Sequence, residues 1–394
     1  MKSNLSSNIR KYYIYHGLTS LEFFAPVIVI FWQSRGLSMS QIMLLQSIYA
    51  ICVVVLELPT GAFADRFGKR PSLILGSFIS SMAAFTYSLG QNFGHFVVAE
   101  TLFAFGIAFI SGADKAFIHE TLSSLSREEE YKKVDGRSQG LGLVLGAASS
   151  LLGGIIGSFY LALTLAVSGI SNLFAATTAL LFKKPRVVLP REEKTEYLKI
   201  IRESVRIIKS DQRILWLVLF FASFNALSHN IFWFSQPYFQ SLNIPVSAFG
   251  AIFAGFTLIA AFGSWSVDWV ERFLGKRFFL VISVVSVLAM LLIAGFKSLW
   301  IIPLWSFSRT FSTMNQTAVS EKILRLIPSS KTATVLSFMN LLRRAVYSLS
   351  GPILGMVADT RGIQSAVLVN AVILGLILVI LFWWREGSAS INCQ

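Results

Sequence analysis

Six of the ionisable side chains inside long apolar runs of this sequence are candidates for chemistry: Glu22, Glu57, His229, Arg309, Arg343 and Arg344. A charge at the centre of a bilayer costs roughly 2.5–3.5 kcal/mol on insertion scales, so such a group faces a counter-ion or a wetted cavity. The two acids stand in the first half of the chain and the three guanidinium groups in the second. A carboxyl taken out of water holds its proton more tightly, and an approaching cation loosens it. Glu22 and Glu57 are therefore candidates to load and release a proton, and His229 is a third. Competing roles exist for two of them. Glu57 stands two residues before Pro59 and is equally suited to accept a hydrogen bond at a helix break, while a lone His such as His229 more commonly bonds one helix to another.

Helical spacing gathers further polar and aromatic groups onto shared faces. Tyr15, Thr19, Glu22 and Pro26 form one stripe; Asn225, His229, Trp233 and Gln236 a second; Trp305, Arg309, Thr313 and Gln316 a third; Asn340, Arg344 and Tyr347 a fourth. Four such stripes amid apolar sequence suit a solvated pocket for a small solute. For any single Asn, Thr or Trp the alternative is a hydrogen bond that ties two membrane helices together. Arg343 and Arg344 are about 100° apart on a helix, so one of them can pair with an acid or a backbone carbonyl instead.

The elements that must position these groups are legible in the composition. Of 394 residues, 54% are hydrophobic and 14% charged, against about 25% charged in a soluble domain. Twelve apolar stretches lie near 12–33, 40–63, 72–91, 95–117, 138–158, 162–182, 213–236, 246–267, 278–295, 298–319, 333–356 and 363–384. Each approaches the roughly 20 residues a helix needs to cross a bilayer. Backbone in lipid must satisfy its own hydrogen bonds, so these spans read as a helical bundle rather than a sheet. The first is longer than a removable signal segment and lacks a small-residue cleavage site. The net charge of +14 sits in short loops rather than on one continuous basic face, which argues against a nucleic-acid partner. Cys52, Cys393 and four scattered histidines supply neither a disulfide framework nor a metal site, and no cofactor motif is present.

Lys and Arg collect in alternate connections, while the intervening set holds Arg35, Lys297 and Arg361. The positive-inside rule then places both termini in the cytoplasm of a multi-pass plasma (inner) membrane protein. The longest connection, 183–212, divides a six-span block at 1–182 from another at 213–394. Its stretch "TEYLKIIRESVRIIKS" sets Leu198, Ile201, Val205 and Ile208 at helical spacing, the pattern of an amphipathic helix on an anionic inner surface. It is too short to be a catalytic domain. The halves also echo each other: "GGIIG" at 153–157 returns as "GPILG" at 351–355, and "GAFADRFGKR" at 61–70 as "DWVERFLGKR" at 268–277, with Asp65 answering to Asp268.

"GAFADRFGKR" resembles the signature between the second and third spans of the major facilitator superfamily: a glycine, an acid four residues on, then Arg-x-Gly and a basic pair. With twelve spans, a basic central loop and the degraded copy, the resemblance covers essentially the whole chain. It implies an all-α membrane protein with the superfamily's fold, twelve transmembrane helices in two pseudo-symmetric six-helix bundles. It also implies a secondary transporter that works by alternating access, its solute held in a central cavity lined chiefly by spans 1, 4, 7 and 10. By the same resemblance Gly61, Asp65, Arg66, Gly68, Lys69 and Arg70 form a cytoplasmic gate, with Asp65 meeting the start of span 11 near Thr332 to Thr334 and Lys69 pairing with Asp114. The residue types suit those places. Gly68 allows a sharp reversal, and Pro71 fits the first turn of span 3, where a missing N–H costs nothing.

Direction and cargo are less strongly written. Drug antiporters of the superfamily carry "GP-x-x-GG" in span 5, and "GGIIGS" at 153–158 lacks the proline and the last glycine. Gly142, Gly146, Ser150 and Gly154 recur every fourth place, a spacing that packs helices in any transporter. No nucleotide-binding motif occurs, so a gradient must supply the energy; one proton crossing 100 mV is worth about 2.3 kcal/mol. The expectation is a monomeric, proton-coupled exporter of a drug-like compound or metabolite. The alternative is uptake or export of an anionic metabolite such as an organic acid, a sugar derivative or a siderophore-like compound. A polytopic enzyme is a remote third reading. In "DKAFIHE" at 114–120, His119 and Glu120 are adjacent and diverge by about 100°, so they cannot converge with Asp114 on one substrate atom.

Overall fold

The computed structural model describes residues 2–185 and 197–391, and residues 186–196 of the long connection lie outside them. Among the described residues the chain forms helices and no strand. Span 1 is the pair α1 (Lys2–Thr19) and α2 (Ile28–Ser34), followed by α3 (Met39–Phe67) and α4 (Lys69–Leu89). Span 4 is α5 (Phe93–Ile110) with α6 (Ala113–Ser124); α7 (Tyr131–Phe159) and α8 (Leu161–Leu180) complete the first six. The connection contributes α9 (Tyr197–Ser210). Then come α10 (Gln212–Ser241), α11 (Val246–Leu274), α12 (Phe278–Gly295), α13 (Trp305–Leu326), α14 (Ser329–Arg361) and α15 (Ile363–Ile391), so the twelve expected spans all appear as helix.

Among the described residues eight helical segments are long and apolar enough to cross a membrane, one of them, Val246–Gly295, holding both α11 and α12. The spans that fall short are α1–α2, α13 and α14. These are the ones that carry Glu22, Arg309, Arg343 and Arg344. Polarity is thus concentrated on a few spans while their neighbours stay lipid-compatible.

The chain packs as two units, Met1–Leu37 with Ile48–Lys194 and Pro245–Gly255, and Ser38–Ser47 with Thr195–Ile244 and Phe256–Gln394. In the first unit α4 lies along α5 and α8, and α1 along α7 and α8. Small residues make this possible. Ser72 Oγ donates to the Phe109 carbonyl at 2.7 Å, Ser81 Oγ to that of Gly169 at 2.7 Å and Ser171 Oγ to that of Leu18 at 2.8 Å. A Cβ on Gly76 would stand 2.8 Å from the Gly106 carbonyl oxygen. In lipid, where apolar burial gives little drive between helices, such close approach and hydrogen bonding hold the bundle.

The second unit is built around α10, which packs on α13, α14 and α15. Of its apolar stretch 78% is buried, against 39–50% for the other seven. Trp216 stacks on Phe220 at 4.9 Å and Phe220 on Phe224 at 5.6 Å, with Phe279 edge-on to Trp216 at 5.6 Å. The polar tips find backbone partners: Trp216 Nε1 donates to the Leu381 carbonyl at 2.9 Å and Tyr238 Oη to that of Phe296 at 2.9 Å. Such pairing is what aromatic residues with a polar handle require when buried. From the connection, α9 docks on α14, Ser204 Oγ donating to the Thr334 carbonyl at 3.1 Å.

Candidate functional site

Span 1 is interrupted at residues 20–27, between α1 and α2. Pro26 has no N–H and its ring crowds the carbonyl four residues earlier, so a regular helix cannot pass through Glu22–Pro26 without partners for the freed groups. Here isolated turns replace it: the Ala25 N–H bonds the Glu22 carbonyl at 3.2 Å and the Val27 N–H that of Phe24 at 2.9 Å. Non-helical backbone at membrane depth persists only where protein covers it or water reaches it. Protein covers part of this stretch. The Phe23 N–H donates to Ser168 Oγ of α8 at 3.0 Å, and a Cβ on Gly153 of α7 would overlap the Phe23 carbonyl. A Cβ on Gly157 would stand 3.0 Å from Val27, and one on Gly142 2.8 Å from Ser20 Oγ. Phe23 is buried, but Glu22 beside it is exposed. The interruption therefore presents a carboxyl on an anchored, irregular backbone.

The glycines that spacing marked as generic packing residues divide into two sets. Gly142, Gly146, Gly153 and Gly157 face the interrupted span, while Ser150 and Gly154 face Gly250 in the first turns of α11. Within the second unit α14 repeats that second contact on the first turns of α3: a Cβ on Gly355 would lie 2.6 Å from Ser40 Cα, and one on Gly351 3.2 Å from Met43 Cε. The glycines shared by the echoed "GGIIG" and "GPILG" thus do different work: Gly153 and Gly157 face the interruption of span 1, whereas Gly351 and Gly355 seat the start of α3.

At the α14 contact an acid adds a clasp that the sequence reading did not single out. Asp359 Oδ1 accepts from the Met39 N–H at 2.7 Å and Oδ2 from the Ser40 N–H at 2.9 Å. It satisfies two of the unpaired donors at the start of α3, where the helix dipole favours an anion. Losing such a cap costs about 0.5–2 kcal/mol. In an Asp359→Ala protein, a cysteine placed at Ser38 is expected to react with maleimide about 2- to 30-fold faster. Equal rates with and without Asp359 would show that the clasp does not hold this helix start.

Glu57, Gly61 and Asp65 form one exposed stripe along the second half of α3, which runs through Pro59 without breaking. The expected helix break at Pro59 is absent; on the next residue the Thr60 hydroxyl shares its one proton between the carbonyls of Leu56 at 2.8 Å and Ala108 at 3.0 Å. Gly68, at φ 98°, makes the reversal into α4. That reversal brings Lys69 back over the preceding turn, where its Nζ meets Asp65 Oδ1 at 2.6 Å. Lys69 thus pairs with Asp65 and not with Asp114, whose Oδ1 accepts from the Lys115 N–H at 2.7 Å. Arg70 donates to the Leu180 carbonyl at 2.6 Å, and the Arg66 guanidinium lies 5.3 Å from the centre of the Phe67 ring.

In the second unit, Trp233 Nε1 of α10 donates to Tyr347 Oη of α14 at 2.7 Å. The His229 ring lies 5.1 Å from that of Tyr347 and 6.2 Å from that of Trp233. Trp233 and Tyr347 are buried and His229 is exposed, so the trio is a fixed aromatic wall with one accessible imidazole. One turn away, Asn225 accepts from Ser312 of α13 and donates to the Phe221 carbonyl. This link between α10 and α13 sets the face on which Arg309 and Gln316 are exposed and Thr313 half-buried. Arg343 and Arg344 are half-buried on α14, and Asn340 is exposed there.

Not every stripe residue faces a wetted surface. Tyr15, 1% exposed, belongs to the apolar core of the first unit and takes a hydrogen bond from Ser77 at 2.9 Å. Trp305, 3% exposed, packs against Tyr238 and Phe239 at 5.1 and 6.0 Å, and Gln236 is fully buried. Thr19 closes α1 by donating to the His16 carbonyl. Spacing identified the face each residue shares, but not whether a neighbouring helix covers it. Ser168 and Ser312, which hold Phe23 and Asn225, carried no sequence signal beyond being serines in apolar runs.

A family model described as Major Facilitator Superfamily matches residues 17–349. An uncharacterized MFS-type transporter of Bacillus subtilis (strain 168), YxaM, is 24% identical over 370 residues, 91% of this chain and 90% of that protein. Multidrug resistance protein 2 of the same bacterium is 24% identical over 183 residues, 46% of each. Among solved structures, a bacterial homologue of the human lysosomal transporter Spinster, inward-facing and unoccupied, superposes with a TM-score of 0.77 at 17% identity, covering 97% of both chains. The nucleoside transporter NupG does so with a TM-score of 0.71 at 14% identity, covering 98% of both.

Proposed function

This chain belongs to the major facilitator superfamily of membrane transporters, and from that premise we propose that it is a proton-coupled exporter of a small drug-like or metabolic solute. The observation that carries the proton coupling is Glu22, an exposed carboxyl on the non-helical middle of span 1. An acid so placed can change its proton affinity whenever its access to water or to a cation changes. The exposed His229 ring, held against the buried Trp233 and Tyr347, is the aromatic face a drug-like or heterocyclic solute would use. The partial likeness to Multidrug resistance protein 2 supports a drug-like solute. Alternation would proceed by rocking the block 1–182 against 213–394, with 183–212 as the cytoplasmic connection and both termini on the cytoplasmic side of the plasma (inner) membrane. In that cycle the Asp65–Lys69 pair and the Asp359 clasp would exchange partners, and the unit that cycles would be a monomer.

A second reading rests on Arg309, Arg343 and Arg344, which give the second unit a cationic face suited to an anionic metabolite. Counterflow in proteoliposomes, run at two pH values with cationic dyes, nucleosides and organic acids, distinguishes the readings. Flux of a cation or neutral heterocycle driven by an opposing proton gradient supports the first. Flux of organic acids alone supports the second, and flux insensitive to pH removes the proton from both.

A further inference from the structure

The second unit contains a cavity of about 1400 Å³ that neither transport reading uses. It opens where α10 begins, α11 turns into α12, and α13 and α15 end. Its floor is aromatic: Trp216 and Phe279 line it, buried and edge-on to each other at 5.6 Å. Its rim is ionic. Arg213 pairs with Asp211 at 2.7 Å, and Lys322 with Glu271 and Arg325 with Glu321 in close contacts. The Arg213 hydrogen bond holds Asp211 below the usual carboxylate range. Arg272, Lys276 and Arg385 also line the cavity and make no ion pair among the described residues, against the single carboxylate of Asp268. The cavity therefore carries surplus positive charge. One of these cations is pre-positioned: the Arg385 guanidinium lies 4.8 Å from the centre of the Trp216 ring. Stacking on a ring fixes the guanidinium plane while leaving its edge donors available.

We propose that this cavity binds a phosphate-bearing amphiphile, its phosphate among Arg272, Lys276 and Arg385 and its apolar portion against the half-buried Leu326 and Trp384 of the lining. A guanidinium fork matches phosphate oxygens in pairs, and an ammonium adds a point charge. Ligand pockets usually measure about 300–1,000 Å³, so the volume exceeds what a bare anion needs and accommodates a headgroup with the first part of its chains. Cations and aromatic rings meeting at helix ends are also what a membrane surface rich in anionic lipid selects. The ligand chemistry is shared by an anionic phospholipid and by a soluble organic phosphate, and the arms of the test separate them.

The full chain, purified in a neutral detergent, is titrated with short-chain phosphatidylglycerol, with phosphatidylcholine of equal chain length, and with inorganic phosphate, and bound molecules are counted by native mass spectrometry. One phosphatidylglycerol is expected to bind saturably, at least tenfold tighter than phosphatidylcholine. Arg272→Gln/Lys276→Gln/Arg385→Gln is expected to weaken it at least tenfold, and Arg385→Gln alone several-fold, while Lys132→Gln/Lys133→Gln, outside the cavity, leaves it unchanged. Displacement by millimolar inorganic phosphate would support the phosphate site with a soluble source; no displacement would support the lipid. Equal affinity for both lipids, or undiminished binding by Arg385→Gln and the triple variant, would overturn the proposal. None of these readouts involves transport, so a failure here is distinct from a failure of the exporter reading.

Discussion

Glu22→Gln is expected to collapse gradient-driven accumulation in proteoliposomes while leaving a folded protein that still exchanges solute. The side chain is exposed on the interruption of span 1, where its backbone is anchored by neighbours rather than by helical hydrogen bonds. The isosteric amide keeps the size and most hydrogen bonds of the carboxyl, so packing has little reason to change. It cannot release a proton. One proton moved per cycle across 100 mV is worth about 2.3 kcal/mol, which sustains a solute gradient of about 50-fold. In Glu22→Gln the accumulation ratio should fall from about 50-fold towards about 1, with counterflow retained. Glu22→Asp should keep the coupling and shift its pH profile. Parallel Glu57→Gln and His229→Gln proteins complete the comparison, because both groups are also exposed on membrane helices. Undiminished accumulation in Glu22→Gln together with collapse in either of the others would move the proton to that residue.

The spans were legible because transfer of apolar side chains into lipid is close to additive along a window. The interruption of span 1 was not, although Pro26 was in plain view. Pro59, Pro237 and Pro352 all sit inside continuous helices, α3, α10 and α14. A proline frees a carbonyl and removes a donor in every one of these places. What differs near Pro26 lies far away in the chain: Ser168 stands ready for the Phe23 N–H, and glycines of α7 leave room for the displaced backbone. The same distinction explains the pairing of Lys69. The resemblance placed Asp65, Lys69 and Asp114 on adjoining helices, but which two of the three pair depends on the φ of Gly68 and the reversal it permits. Exposed pairs of this kind contribute about 0–1 kcal/mol, so the pairing of Lys69 adds little to stability. Tyr15 and Trp305 were assigned to a wetted face by spacing and are core residues instead, since a polar tip such as the Tyr15 hydroxyl is as readily satisfied by Ser77 as by water.

Gly153→Ala should lower stability by about 1–3 kcal/mol, the usual cost of overpacking. The added Cβ would overlap a carbonyl oxygen, that of Phe23, rather than the yielding end of a side chain. That carbonyl cannot easily turn aside, because the N–H of the same residue is held by Ser168. At about 2–4 °C per kcal/mol for a chain of this order of size, the unfolding midpoint in detergent should fall by about 2–12 °C. Gly255→Ala in α11 is the matched control: its Cβ would meet nothing within 4 Å, and alanine is the better helix former by about 0.5–1 kcal/mol. Its midpoint should therefore stay level or rise. If Gly153→Ala proved as stable as the unaltered protein, α7 would not be clamping the interruption. Glu22 would then ride on a stretch free to rewind into helix, and a proton site there would have to be made and unmade in each cycle rather than held ready.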